Sequence, residues 1–231
     1  MSFAVVVQGP ATHIEAVSAA LIDYDVIFST WEGLQPGSKL EQLLAGPRHQ
    51  VLVNPAPLWR GRRNLNLQKQ STLSGLIAAR SAGHKFSLKI RSDMVISGID
   101  ELAARSQKMI ERGPARIFFF DWVLHRSGYP MDFIQFASTE DLIGLWRKVR
   151  TFTLTYQAPE ELLKNAFRRQ SRGNSRDPNV WKQMGFMAST LNSIPGADVI
   201  WLKKDISFCN DWKGNPVFVQ CAGMEEISKV D

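Results

Sequence analysis

The sequence predicts an α/β fold: an open, mostly parallel sheet flanked by helices, followed by a smaller C-terminal α+β portion. Three observations lead there. Near-continuous apolar runs such as "FAVVVQGP" mark strands buried on both faces of a parallel sheet. Segments of helical period separate those runs at the length that right-handed βαβ units need. The 231 residues, 44% hydrophobic and 22% charged, suit a single domain with a full-sized core.

Taken in order, "FAVVVQGP" is a strand closed by Gly9-Pro10. Thr12 then reads as a helix cap, with Glu15 completing a capping box ahead of "IEAVSAALIDY". "DVIFST" and "QVLVNP" are the second and third strands, with "GSKLEQLLAG" a short helix or loop between them. "LNLQKQSTLSGLIAARSAG" is a helix that stops at Gly83. "KFSLKIRSDMVI" reads as a fourth strand, "GIDELAARSQKMIERG" as a helix and "ARIFFFDWVL" as a fifth strand. "MDFIQFASTEDLIGLWRKVR" is a short strand, a cap and an amphipathic helix. "APEELLKNAFRRQ" is a helix, "SRGNSRDPN" a loop and "VWKQMGFMASTLNSI" a further helix. "DVIWLKKDISF" and "PVFVQC" are late strands. The chain reads as one domain over 1–231, with a ligand-binding half at 1–128 and a second half at 129–231.

Several function classes are set aside. No apolar run approaches the roughly 20 residues that span a bilayer, and "MSFAVVVQGP" lacks the basic start of a secretory signal. Cys209 and Cys221 form no disulfide framework or zinc motif, and His13, His49, His84 and His125 are scattered singly. A cytoplasmic protein follows. There is no P-loop, G-x-G-x-x-G or Ser/His/Asp arrangement. Net charge is +6, concentrated in "WRGRRN", "LWRKVR" and "FRRQSRGNSR". A basic surface suits nucleic acid, anionic lipid or a phosphorylated small molecule, and a solvated face accounts for the patches as well. A nucleic acid is the weaker reading, because no aromatics interleave with the cations.

In an open α/β sheet, ligands bind at the carboxyl ends of the strands. Those ends are Gln8-Gly9-Pro10, Ser29-Thr30-Trp31-Glu32, Asn54-Pro55 and Arg91-Ser92-Asp93. The helix after Asn64 carries Asn66, Gln70, Leu73 and Ile77 on one stripe, amides first and aliphatics after. A ligand or a polar strand end is expected against those amides. Arg91 and Asp93 read either as an ion pair or as a phosphate contact beside a ligand for a divalent cation, Mn²⁺ or Mg²⁺. Asp132, Glu140 and Asp141 are candidates for a general base. A helix cap accounts equally well for Glu140 and Asp141.

The motifs "VVVQGP" with Thr12, "FSTWEG", "NLNLQKQSTLSGL", "LKIRSDM" and "DFIQFASTEDLIGLW" resemble, in order and spacing, the WavE lipopolysaccharide synthesis family. These are bacterial proteins regarded as glycosyltransferases with a GT-A-like (Rossmann-like) fold. The resemblance covers residues 4–165. It implies that Gln8, Gly9, Pro10, Thr12, Ser29, Trp31 and Glu32 line a nucleotide-sugar pocket, with Asn66 and Gln70 facing the donor. It places Arg91 and Asp93 at the metal-binding D-x-D of GT-A enzymes, with Arg91 where the first acid stands. Ala137 stands where the family has a glycine. A glycan or lipid-linked acceptor and peripheral contact with the inner membrane are implied. Two other readings compete: a non-catalytic nucleotide- or nucleic-acid-binding protein, and nucleotidyl transfer. "VQGPATH", with one Gly and no cation, ranks the second of these lower.

Overall fold

The structure, a computed structural model, describes residues 3–31, 44–61, 64–112, 117–121, 132–150, 166, 186–190, 199–201 and 220–221. Strands β1 (Phe3–Gln8), β2 (Asp25–Trp31) and β3 (His49–Asn54) alternate with helices α1 (Ile14–Ala20) and α2 (Leu65–Ser81). Next come β4 (Phe86–Arg91), β5 (Met94–Ile96), α3 (Ile99–Arg112), β6 (Ile117–Asp121), β7 (Ile134–Ser138) and α4 (Thr139–Lys148). Three late strands follow: β8 (Phe186–Thr190), β9 (Val199–Trp201) and β10 (Gln220–Cys221).

Seven of these strands form the main sheet, in the order β3-β2-β1-β4-β7-β6-β8. Only β7 runs antiparallel to its neighbours. A smaller sheet, β10-β9-β5, stands beside it. The fold is thus the open, mostly parallel sheet flanked by helices that the sequence predicts. Strands from 1–128 and from 129–231 pair in both sheets.

Alternation along each strand sends side chains to two helix layers. Phe3, Val5 and Val7 meet Val17 of α1, Leu21 just after it, and Leu102 and Ala103 of α3 in one core. Ala4 and Val6 meet Leu76 and Ala79 of α2 and Leu142, Leu145 and Trp146 of α4 in the other. Both faces of the central strands are therefore dry, as a run like Phe3–Val7 requires.

The structure corrects four sequence expectations. Residues Ala11–His13 form one 3-10 turn, α1 begins at Ile14 without a side-chain cap, and Thr12 is exposed. The extended Pro10 (ψ 150°) delivers the chain directly into that turn, so no capping box is needed. The buried residues of α2 are Leu65, Leu67, Ser71, Thr72, Gly75, Leu76 and Ala79 rather than the Asn66–Ile77 stripe. Gly75 decides this. A Cβ there would lie 2.5 Å from Val6 Cγ1 and 3.2 Å from Ser29 Cβ, so the bare backbone is what lets the helix rest on the sheet.

The apolar run after Lys85 is two strands. The Ser92-Asp93 turn ends β4, and β5 pairs antiparallel with β9. Lastly, Phe186–Thr190, read as helix, is β8 in parallel register with β6. Its backbone satisfies the N–H and C=O groups that β6 would otherwise leave as an open edge, and that ladder outweighs a weak helical period. The expected helix at "APEELLKNAFRRQ" lies outside the described residues apart from Ala166.

Candidate ligand site at the switch point of the sheet

Strand order reverses between β1 and β4, and ligand crevices in open sheets form at the carboxyl ends of such a pair. Here the two strands touch through their backbones. The Ser92 N–H donates to the Gln8 carbonyl at 2.9 Å. Gly9 adopts φ +145°, and a Cβ on it would collide with Ser92 Oγ. Only glycine fits.

Register places Ser29 and Arg91 directly beside Gln8, on either side of it. These three side chains make a polar row on the α2 face, just below the rim, and Gln8 and Ser29 are almost wholly buried. Asn54, at the end of β3, braces the row: its amide donates to Ser29 Oγ at 3.0 Å and to the Thr30 carbonyl at 2.6 Å. The buried Thr30 Oγ1 and Ser92 Oγ find no hydrogen-bond partner among the described residues. Buried hydroxyls are nearly always paired, so two such oxygens at one rim point to a ligand or ordered water there.

Charge gathers beside this row. Arg91 grips Asp93 with both arms, Nε to Oδ1 at 2.9 Å and Nη2 to Oδ2 at 2.6 Å. Its guanidinium also lies 5.0 Å from the centre of the Phe133 ring. Asp93 is buried and Arg91 is partly open. One row deeper, Lys89 is wholly enclosed. Its ammonium donates to the Asp132 carbonyl and sits 5.4 Å from the Trp146 ring, whose Nε1 donates to Gln135 Oε1 at 2.8 Å. Burial pushes the Lys89 pKa down to about 8. The Asp132 carboxylate opposes that shift, Arg91 adds to it, and Asp93 opposes it again. Two cations and two carboxylates thus share one corner of the carboxyl edge.

Of the residues singled out in the sequence, Gln8, Gly9, Ser29, Arg91, Asp93 and Asp132 come together at this edge. Pro10 follows at the rim, and Trp31 is half-buried at the end of β2. Glu32 lies outside the described residues. Asn66 and Gln70 spend their amide nitrogens on the chain after β3: Asn66 Nδ2 donates to the Trp59 carbonyl and Gln70 Nε2 to the Pro55 carbonyl, each at 2.8 Å, while the buried Asn66 Oδ1 has no partner among the described residues. The sequence allowed a polar strand end as their partner, and the loop leaving β3 fills that role.

Glu140 and Asp141 require a correction. Because β7 runs antiparallel, its last residue, Ser138, pairs with Phe86 at the start of β4. Helix α4 therefore begins at the amino end of the sheet, opposite the crevice. There the Asp141 N–H donates to Ser138 Oγ, whose hydroxyl donates to Asp141 Oδ2, and Glu140 is an exposed partner of Arg80. They are cap and surface residues. Lys89 was not singled out as a site residue in the sequence, although it sits between Ser87 and Arg91 on the polar face of a strand whose other face is Phe86, Leu88 and Ile90.

A divalent cation was also expected at Asp93. Both carboxylate oxygens already face the Arg91 guanidinium, and no group of three or more His, Cys, Asp or Glu side chains suited to a metal occurs among the described residues. A cation at Asp93 would have to share those oxygens with Arg91, through the lone pairs that the guanidinium leaves open, beside a second buried cation, Lys89.

Fold and geometry together define an α/β protein with charged and hydroxyl side chains gathered at the switch point of its sheet. No family model matches the chain and no curated protein matches it, so neither comparison supports the resemblance to the WavE family. Among solved structures, the chain is similar to 4-diphosphocytidyl-2C-methyl-D-erythritol synthase from Anaerococcus prevotii DSM 20548, at 10% identity and TM-score 0.43, over 71% of this chain and 83% of that one. A glycosyltransferase involved in the glycosylation of the major capsid of PBCV-1 has 10% identity and TM-score 0.43, over 82% of each chain. S. aureus TarS 1–349 has 15% identity and TM-score 0.42, over 75% of this chain and 56% of that one. These are likenesses of chain course, and the class of fold rests on the strand order and register above.

Proposed function

We propose that the chain is a glycosyltransferase of GT-A kind. It would move a sugar from a nucleotide-sugar donor to a glycan or lipid-linked acceptor in bacterial surface polysaccharide synthesis, of lipopolysaccharide or capsule. The observation that carries the reading is the Ser29–Gln8–Arg91 row at the switch point, with unpartnered Thr30 and Ser92 hydroxyls at its rim. Amide and hydroxyl groups suit a nucleoside, and the partly open Arg91 suits a diphosphate. The bacterial-polysaccharide assignment is supported by the WavE resemblance.

Breaking a sugar–diphosphate bond builds negative charge on the leaving phosphate, and preorganised cations stabilise that charge. In this reading Arg91 meets the phosphate and Lys89 holds a second positive charge beneath it, so that no metal is needed. Asp132 receives the proton of the acceptor hydroxyl.

Thermal shift with nucleotide sugars and free nucleoside diphosphates in EDTA tests the donor site, because a ligand above its Kd raises the melting temperature by linkage. A concentration-dependent rise that survives EDTA is expected, along with transfer that Asp132→Asn abolishes. No rise with any donor would remove the donor site. A rise that requires Mn²⁺ would remove the metal-free charge scheme. A rise with no transfer to any acceptor would leave a non-catalytic nucleotide-binding protein.

A further inference from the structure

We propose that the loop over residues 55–61, with the adjoining ends of α2 and α4, is a docking surface for an anionic lipid membrane. Leu58 at the loop tip is fully exposed, Trp59 is 49% exposed and Val53 48%. Such side chains are ordinary when scattered singly, but here they are grouped and rigidly presented. Asn66 and Gln70 bond the carbonyls of Trp59 and Pro55. The Asn66 N–H donates to the Arg60 carbonyl at 3.0 Å and the Asn64 N–H to the Gly61 carbonyl at 3.3 Å. Pro55 and Pro57 fix two more φ angles. The chain is thus held so that the apolar tip points outward, away from both cores.

Cations stand beside this tip. Arg60 is exposed beside Trp59. Helix α4 ends at the same edge at which α2 begins: Lys69 of α2 donates to the Val149 carbonyl at 2.8 Å. This brings the exposed Arg147, Lys148 and Arg150 to the loop's side of the molecule. An aliphatic tip, an interfacial Trp and a ring of cations match the layers of an anionic bilayer surface: acyl boundary, headgroup level and phosphate. Phosphate on a nucleic acid would satisfy the cations and leave Leu58 in water. The surface borders the carboxyl edge, but vesicle binding is read without turnover and so stands or falls apart from the transferase reading.

The test is co-sedimentation of the full chain with vesicles of phosphatidylcholine, alone or mixed with phosphatidylglycerol. We expect binding to the mixed vesicles only, weakening as salt rises. Leu58→Ser should weaken it about fivefold to tenfold. Arg60→Glu removes one cation and adds one anion, and should weaken it by about tenfold or more. Lys108→Glu makes the same charge change on α3, across the sheet, and should alter binding by about twofold at most. All three positions are exposed, and matching melting temperatures would show the variants folded. The proposal is overturned by equal binding to neutral and anionic vesicles, or by a silent Leu58→Ser. It is equally overturned if Lys108→Glu costs as much as Arg60→Glu, or if the chain ignores vesicles and binds RNA instead.

Discussion

At the amino end of the main sheet, Ser138 and Asp141 close a helix cap on each other, Thr139 meets Ser87 Oγ at 2.9 Å and donates to the His84 carbonyl, and Glu140 reaches Arg80. At the carboxyl end, Asp93 and Asp132 share a buried corner with Arg91 and Lys89, and the Thr30 and Ser92 hydroxyls are unpartnered among the described residues. Both ends place carboxylates directly beside strand termini. One end has satisfied its polar groups internally, and the other has kept charge and hydrogen-bonding capacity in reserve. Proximity to a strand end therefore does not separate the two settings. Which end of the sheet the strand delivers an acid to does, and for Asp141 the reversed direction of β7 decides it; the proposed transferase chemistry belongs to the carboxyl end.

The contrast can be broken most sharply at Asp132. If it is the base, Asp132→Asn lowers transfer by about 10²–10⁴-fold while the nucleotide-induced rise in melting temperature persists. Loss of both together would make the residue structural. Gly9→Ala comes next. Its positive φ and the collision with Ser92 Oγ should cost about 2–3 kcal/mol in chemical denaturation. A near-neutral result would mean that β1 and β4 approach less closely than described.

The third prediction concerns pH. Lys89 binds its proton with a pKa near 8 in the fold and near 10.5 once unfolded. Between those values the unfolded chain holds more protons, so unfolding free energy rises with pH. The cost of burying the ammonium is fully present below pH 8 and is relieved as pH climbs towards 10.5. The gain should be on the order of 3 kcal/mol, read from denaturant melts, and Lys89→Met should abolish it. The smallest effects belong to the amino end. Ser138→Ala should cost about 1 kcal/mol as a lost cap, and Glu140→Gln should stay within about 0.5 kcal/mol and leave transfer unchanged. Lost transfer in Glu140→Gln would reverse the assignment of the two ends.

The parallel core was legible because Phe3–Val7 and Val26–Phe28 are apolar on both faces, a pattern few other environments produce. Their carboxyl ends were legible for the same reason: the change from apolar to polar at Gln8, Ser29 and Arg91 shows where each strand leaves the core. What escaped depended on distant partners. Helix α2 turned its face to suit Val6 and Ser29, residues some seventy and forty-five positions away from Gly75. The direction of β7 depended on pairing with β4 and β6, and β8 became a strand because β6 needed a neighbour. Local periodicity holds no record of such pairings. Lys89 was hidden differently, since its four-carbon stem reads as surface until Trp146 and Asp132 are placed around its head.

That enclosure gives the molecule an internal clock. Amine-modifying reagents reach the exposed Lys85 and Lys108 at any moment, but they can reach Lys89, at 0% exposure, only when Trp146 of α4 or the Asp132 segment lifts from its head. Its labelling half-life under native conditions therefore measures how often that cover opens, without denaturant or an attached probe.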